Sequence, residues 1–347
     1  MSKKLFNPEC EDNNKRLFGG ETTNILDLSN IKYPEFIEYV NIAYANNWLP
    51  QKVKDFSKDK YQYYNVLSND EREAFDTIIS FLIFLDSIQT NNLPNISEFI
   101  TLPEVVYWLA RQTWDEALHS RSYGYTLDNV VQDNNIIKEI TYKWKKNKVL
   151  FDRINIITDF YESSKDTKYF KNFVVMMIAN YLLEGLYFYN GFQFFHNLAS
   201  RGLMISTDTE IKYIQRDENV HCTAFKRMIQ ISMLEDKDLW DSDIKNMVYD
   251  MFKTAVEWEI KFSTNTLGDK ILGFREETII DYTHYLANKR LKDIGLNEIF
   301  PKVKTNPYLH LEKIASVEDE TSNRANQFET TSITYKSPEV LDGWDEI

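Results

Sequence analysis

Two stretches of this chain carry the same groups in the same order, and that order restricts the fold more than any other feature. Asp86 sits in the apolar run Phe-Leu-Ile-Phe-Leu-Asp86-Ser-Ile, 30 residues before Glu116-x-x-His119. Glu184 sits in Ile-Ala-Asn-Tyr-Leu-Leu-Glu184-Gly-Leu-Tyr-Phe, 34 residues before Glu218-x-x-His221. An unpaired carboxylate inside a buried helix costs several kcal/mol, so it needs a partner or a proton. An i, i+3 spacing places Glu and His on one helix face. A lone Glu-x-x-His is a weak signal and usually marks a solvated face. Asp281-x-x-His284 shows that background level: it has similar spacing, but no carboxylate in an apolar helix precedes it. His196 and His310, the remaining two of five histidines, lie in no such pattern.

Read as helices, the order becomes a carboxylate helix, a Glu-x-x-His helix, an intervening helix, and the same pair again. Four helices turning this set inward make a carboxylate-bridged dimetal site in an all-α, ferritin-like helical bundle. The expected metal ligands are Asp86, Glu116, His119, Glu184, Glu218 and His221. Four carboxylates balance two divalent cations, which removes the desolvation problem. Oxygen and imidazole donors without thiolate suit iron or manganese and do not choose between them.

The rest of the chain agrees with a helical reading. Ten glycines and eight prolines in 347 residues leave few turns for a sandwich or barrel. Helices are predicted over about 34–46, 68–90, 101–130, 135–161, 168–199, 207–235, 241–266 and 275–293. Ser68-x-x-Glu71, Thr101-x-x-Glu104 and Thr207-x-x-Glu210 read as capping boxes. Residues 1–30 read as an N-terminal extension, 31–317 as the ferritin-like domain, and 318–347 as a polar, flexible tail. No solenoid repeat is present.

A net charge of −13 argues against nucleic-acid or anionic-membrane binding. Two cysteines, Cys10 and Cys222, cannot build a disulfide framework. No apolar stretch reaches the roughly 20 residues of a membrane span, and Met-Ser-Lys-Lys-Leu-Phe-Asn-Pro-Glu-Cys lacks the apolar core of a secretion signal. The expectation is a cytoplasmic protein.

Tyr123 lies seven residues after Glu116, a rotation of about 700°, so it shares the face that carries Glu116 and His119. With 21 tyrosines in the chain, an ordinary core tyrosine is the plain alternative. Phe188, Phe192 and Ile214 are spaced to form an apolar pocket near it. Asp217, next to Glu218, reads as a carboxylate supporting a ligand or a salt-bridge partner. The tail carries one tyrosine, Tyr335, and apolar anchors at Val340, Leu341 and Trp344.

Leu85-Asp86-Ser-Ile-Gln89, Glu116-Ala-Leu-His119-Ser-Arg-Ser-Tyr123 and Arg216-Asp217-Glu218-Asn-Val-His221 together resemble the small, radical-generating (beta) subunit of class I ribonucleotide reductase. The resemblance extends to Arg16-Leu-Phe-Gly-Gly, Asn47-Trp48-Leu-Pro50 and Tyr285-Leu-Ala-Asn-Lys-Arg-Leu291, and so spans nearly the whole chain. It implies that the six ligands hold two iron ions, oxo-bridged, and that Tyr123 is oxidised to a stable radical. It implies that the oxidising equivalent leaves through His119, Asp217 and Trp48, then a tail tyrosine, here Tyr335. A separate large subunit, held by the tail, then reduces ribonucleotides to deoxyribonucleotides. The small subunits of this family are typically homodimers.

His119-Ser-Arg-Ser-Tyr123 looks like class Ia, which favours di-iron, with manganese as the other admissible metal. Gln112 stands where some bacterial members have Trp, which changes the surroundings of the metals. The competing readings are a ferritin-like oxidase and an iron-storage protein. An iron-storage protein has no use for Trp48 or a docking tail, and an oxidase predicts an open substrate channel beside the metals and has no requirement for Tyr123.

Overall fold

The computed structural model describes residues 4–311, apart from residues 12 and 54. Eleven α-helices account for most of them: α1 Glu35–Ala45, α2 Ser57–Asn65, α3 Asn69–Ser97, α4 Pro103–Val130, α5 Asn134–Thr141, α6 Lys148–Glu162, α7 Phe170–Leu182, α8 Tyr189–Ser200, α9 Ile205–Glu235, α10 Ser242–Thr266 and α11 Glu276–Asp293. Among the described residues, extended pairing is limited to one isolated bridge between Phe18 and Ile100. No helix there is long and apolar enough to cross a membrane.

The all-α expectation holds. α3 and α4 pack along each other, α9 packs on α4, α7 and α8, and α7 also touches α3. These are the helices on which the spacing argument placed the ligands. α1 and α2 cover α4 and α9, and α6, α10 and α11 close the other side. Inward faces are lined by Phe75, Ile78, Leu82, Trp108, Met176 and Phe225, each essentially inaccessible to solvent. Burying a side chain of this size contributes about 1.5–3 kcal/mol, so the packed faces, more than helix propensity, hold the bundle.

The elements depart from the sequence reading where tertiary contacts compete with local signals. The single helix expected over 135–161 is broken. α5 ends at Thr141, a 3₁₀ turn spans Lys143–Lys145, and Asn147 restarts the chain by accepting a hydrogen bond from Leu150 N at 3.0 Å. The helix expected over 168–199 is interrupted by a π turn at Leu183–Tyr187. α2 was not anticipated, and α3 runs past Thr90 through Pro94 to Ser97.

Of the three predicted capping boxes only one forms. Ser68 Oγ accepts from Glu71 N at 3.1 Å, and Glu71 Oε2 accepts from Ser68 N at 2.8 Å. Thr101 instead donates to Arg16 O, and Glu104 accepts from the backbone of Lys32 and Tyr33. Thr207 lies inside α9, where it donates to Asp59, and Glu210 accepts from Thr126.

These redirected groups anchor the N-terminal segment. Arg16 reaches Glu235 O and the Asp236 carboxylate at the end of α9, and Leu17 N donates to Glu235 Oε2 at 2.7 Å. The turn needs its two glycines. Gly19 has φ +63°, and a Cβ on Gly20 would lie 2.7 Å from both Arg16 N and Thr101 Oγ1. Across the bundle, buried Arg153 of α6 pairs with Glu259 of α10 and lies 3.7 Å over the ring of Phe81 and 4.3 Å over that of Phe262.

Candidate metal centre

Asp86 comes from α3, Glu116 and His119 from α4, Glu184 from the π turn, and Glu218 and His221 from α9. All six are buried, with 1% exposure or less. They fall into two overlapping groups. One ligand atom from each of Asp86, Glu116, His119 and Glu218 lies within 4.8 Å of the others, and the same is true of Glu116, Glu184, Glu218 and His221. Glu116 and Glu218 belong to both groups, which is the geometry of carboxylates shared by two cations.

Both imidazoles turn Nδ1 inward. His119 Nδ1 is 3.1 Å from Glu218 Oε1, and His221 Nδ1 is 2.9 Å from Glu218 Oε2 and 3.1 Å from Glu116 Oε1. Each Nε2 faces a carboxylate on the outside: His119 toward Asp217 Oδ2 at 3.3 Å, His221 toward Asp115 Oδ2 at 3.6 Å. A cation taken up by Glu116 and Glu218 would meet Nδ1 of both rings, and each Nε2 would then carry the hydrogen on the side of the outer carboxylate.

Asp217 Oδ2 also accepts from Trp48 Nε1 at 2.7 Å. The rings of Trp48 and His119 lie 6.2 Å apart, inclined by 22°. Burial alone would raise the pKa of Asp217, but His119, Arg216 and Trp48 hold it below the ordinary carboxylate range. Asp115 was not singled out in the sequence. The signal for it was present: Asp115-Glu116-x-x-His119 and Asp217-Glu218-x-x-His221 are the same five-residue pattern, and each Asp faces the histidine of the other copy.

Glu184 is held differently. Its Oε1 accepts from three side-chain amides: Gln112 at 2.8 Å, Asn180 at 3.1 Å, and Gln89. Tyr161 donates to Gln89 Oε1 at 3.1 Å and so orients that amide. Gln112 also donates to Glu116 Oε1 at 3.2 Å, which gives the residue flagged in the sequence a defined place beside two ligands.

The donor set fits two divalent cations. Among the described residues, both oxygens of Asp86, Glu116 Oε2, Glu184 Oε2, Glu218 Oε1 and His119 Nδ1 are buried without a hydrogen-bond partner. Burying so many polar atoms without partners is costly unless a cation takes them up. Electrostatics agree. Burial and then the neighbouring carboxylates push Asp86 and Glu116 upward, and Glu218 up to about 8. Burial would lower both histidines, yet Asp217 and Glu218 carry His119, and Glu218 and Glu116 carry His221, well above the ordinary imidazole value. The cluster demands positive charge.

Tyr123 is 1% exposed, and its hydroxyl makes no hydrogen bond among the described residues. Burial first, then the Asp86 and Glu218 carboxylates, push its pKa well above the ordinary phenol value. Phe188, Phe192 and Ile214 are fully buried, with Phe188 and Phe192 stacked at 5.5 Å. His284, set aside as structural, stacks on Phe300 at 4.0 Å. Tyr335 and the tail lie outside the described residues.

A ferritin-like protein with a carboxylate-bridged dimetal centre is what this fold and this cluster define. Over residues 25–307 the chain matches the family described as ribonucleotide reductase, small chain, and it belongs to that family. It is 36% identical over 343 residues to a ribonucleoside-diphosphate reductase subunit beta of Treponema pallidum, covering 98% of this chain and 97% of the relative. A protein of the same description from Halalkalibacterium halodurans is 31% identical, covering 100% of this chain and 99% of the relative. Among solved structures, the ribonucleotide reductase R2 subunit of Clostridium botulinum superposes with a TM-score of 0.86 at 36% identity, covering 91% of this chain and 98% of the other. A dimanganese(II) NrdF from Streptococcus sanguinis shares the fold, with a TM-score of 0.70 at 21% identity over 82% of this chain and 97% of the other.

Proposed function

We propose that this chain, as the small subunit of class I ribonucleotide reductase, oxidises Tyr123 to a stable radical and lends that oxidising equivalent to a large subunit. The large subunit then reduces ribonucleoside diphosphates to deoxyribonucleotides. Two reduced metal ions, when bound, supply the electrons for dioxygen reduction that makes Tyr123 oxidisable. Iron is the proposed metal, on the His119-Ser-Arg-Ser-Tyr123 resemblance, with manganese as its competitor. Asp86, Glu116, His119, Glu184, Glu218 and His221 hold the ions.

The observation that carries the reading is the continuity of polar and aromatic groups from the centre outward. His119 offers Nδ1 to a metal, its Nε2 faces Asp217, and Asp217 accepts from Trp48. A storage protein or a simple oxidase has no use for this chain of groups. His119 and Asp217 keep the proton between them fixed while an electron passes, and Trp48 is the proposed last carrier in the folded body. Burial of Tyr123 excludes the water and reductants that would quench a phenoxyl radical.

Residues 318–347 are proposed as the docking segment for the large subunit, with Tyr335 as the carrier at the interface. Residues 1–30 are an extension and 31–317 the radical-generating domain in this reading. The working unit is proposed to be a cytoplasmic homodimer.

The test is to load metal-free protein with ferrous iron without oxygen, admit air, and record electron paramagnetic resonance and optical spectra. Wild type should show a tyrosyl signal, and Tyr123→Phe should form the di-iron bands without it. An equal radical signal in Tyr123→Phe would overturn the assignment.

A further inference from the structure

We propose that Arg290 of α11 is a positioning residue for the metal centre: it fixes the π turn that aims Glu184, acting through the Gly185 backbone. The inference rests on reading the six buried residues as a dimetal site. It concerns a side chain that touches no proposed ligand side chain and belongs to the late Tyr285-Leu-Ala-Asn-Lys-Arg-Leu291 segment, which the functional reading leaves unused.

A π turn holds one residue more than an α turn, and its widened carbonyl pattern needs support that a regular helix does not. Arg290 supplies it at points on both sides of Leu183–Tyr187. Its Nε donates to Gly185 O at 3.1 Å, within the turn. Its Nη2 donates to Tyr189 Oη at 3.0 Å, just beyond it. Its own carbonyl accepts from Tyr181 Oη at 3.2 Å, just before it. The side chain is 7% exposed, so these bonds are shielded from water.

The fit is close enough to dictate the residue beside Glu184. A Cβ on Gly185 would lie 2.7 Å from Arg290 Nε, 3.0 Å from its Cδ and 3.1 Å from Cys222 Sγ. Cys222 directly follows the ligand His221. Arg290 therefore backs the segment that presents Glu184, which belongs to only one of the two overlapping ligand groups. The other group, with Asp86 and His119, receives no contact from it. From inside, Gln89, Gln112 and Asn180 hold Glu184 by Oε1; from outside, Arg290 holds the backbone that presents it. Relaxing the turn by one residue would rotate the neighbouring side chains by about 100° about the helix axis.

The effect should therefore fall on one metal and spare the other. Metal-free full-length protein is titrated with Co(II), read by calorimetry and by visible absorption. His221→Gln serves as the reference that lacks the Glu184/His221 position. Wild type should bind two ions per chain. Arg290→Met should keep one ion at wild-type affinity and weaken the second at least tenfold, with a spectrum that matches His221→Gln at one equivalent. Arg290→Lys keeps the buried charge without the fork and should weaken the same ion by less. Gly185→Ala, which displaces Arg290 without removing it, should repeat the selective loss. It also stands in if Arg290→Met does not fold.

Two ions at wild-type affinity in a folded Arg290 variant, or equal weakening of both, would overturn the proposal and leave Arg290 a packing residue. Fewer than two ions in wild type would instead refute the reading of the centre.

Discussion

Glu210 offers a sharp test of the electrostatics on the face where α4 meets α9. It lies two turns before Glu218, is 2% exposed, and accepts from Thr126, one turn beyond Tyr123. Burial is the main cause that lifts its pKa to about 8 from an ordinary 4.5; Thr126 pulls it partly back, and the Asp59 carboxylate adds to the rise. The folded chain keeps this proton over a range where the unfolded chain has lost it. The stability it confers is whole below the unfolded pKa, declines as pH rises, and is gone above the folded pKa. At about 1.4 kcal/mol per pKa unit the full span is at most about 5 kcal/mol, of which about 1.4 kcal/mol falls between pH 7 and pH 9. Glu210→Gln keeps the shape and an acceptor for Thr126 but cannot ionise. Urea unfolding of both proteins at matched metal content should show the stability difference moving by about 1.4 kcal/mol in favour of the variant from pH 7 to pH 9. A difference that stays constant with pH, or moves the other way, would refute the reasoning.

Other expectations concern the groups around the centre. Asp217→Asn keeps an acceptor for Trp48 but loses the charge that orients His119, so the affinity of the metal it binds should fall about 10–100-fold in a titration of metal-free protein. Gln89→Leu strips one donor from Glu184 and leaves Asn180 Oδ1 and Tyr161 Oη without their partner, and it should cost about 2–3 kcal/mol in urea unfolding. Ser68→Ala removes half of the one capping box that forms and should cost about 1 kcal/mol with no change in metal stoichiometry.

The buried carboxylate–histidine cluster was legible because the penalty for burying a carboxylate is large enough to leave a mark on the sequence. A charged residue at the centre of an apolar helix needs an explanation, and paired Glu-x-x-His helices supply it. Trp48, by contrast, came from resemblance: nothing local says that an indole from the segment after α1 meets Asp217, the residue before Glu218. The π turn was hidden for a related reason. The turn meets α11 where Arg290 donates to Gly185 O, and helical periodicity around Glu184 carries no trace of that contact. Thr101 and Thr207 had every local mark of a cap, but Arg16 O and Asp59 are better placed partners in the folded chain. Asp115 could have been found by setting the two Asp-Glu-x-x-His copies side by side, since each Asp faces the histidine of the other copy.

Glu116 and Glu218, which belong to both overlapping groups, are predicted to be shared by two metal ions. The most direct measurement is anomalous diffraction from crystals of manganese- or iron-loaded protein. Two peaks roughly 3.5–4 Å apart are predicted, with Asp86 and His119 at one, Glu184 and His221 at the other, and both shared carboxylates between them. A single peak, or two ions without Glu116 and Glu218 in common, would contradict it.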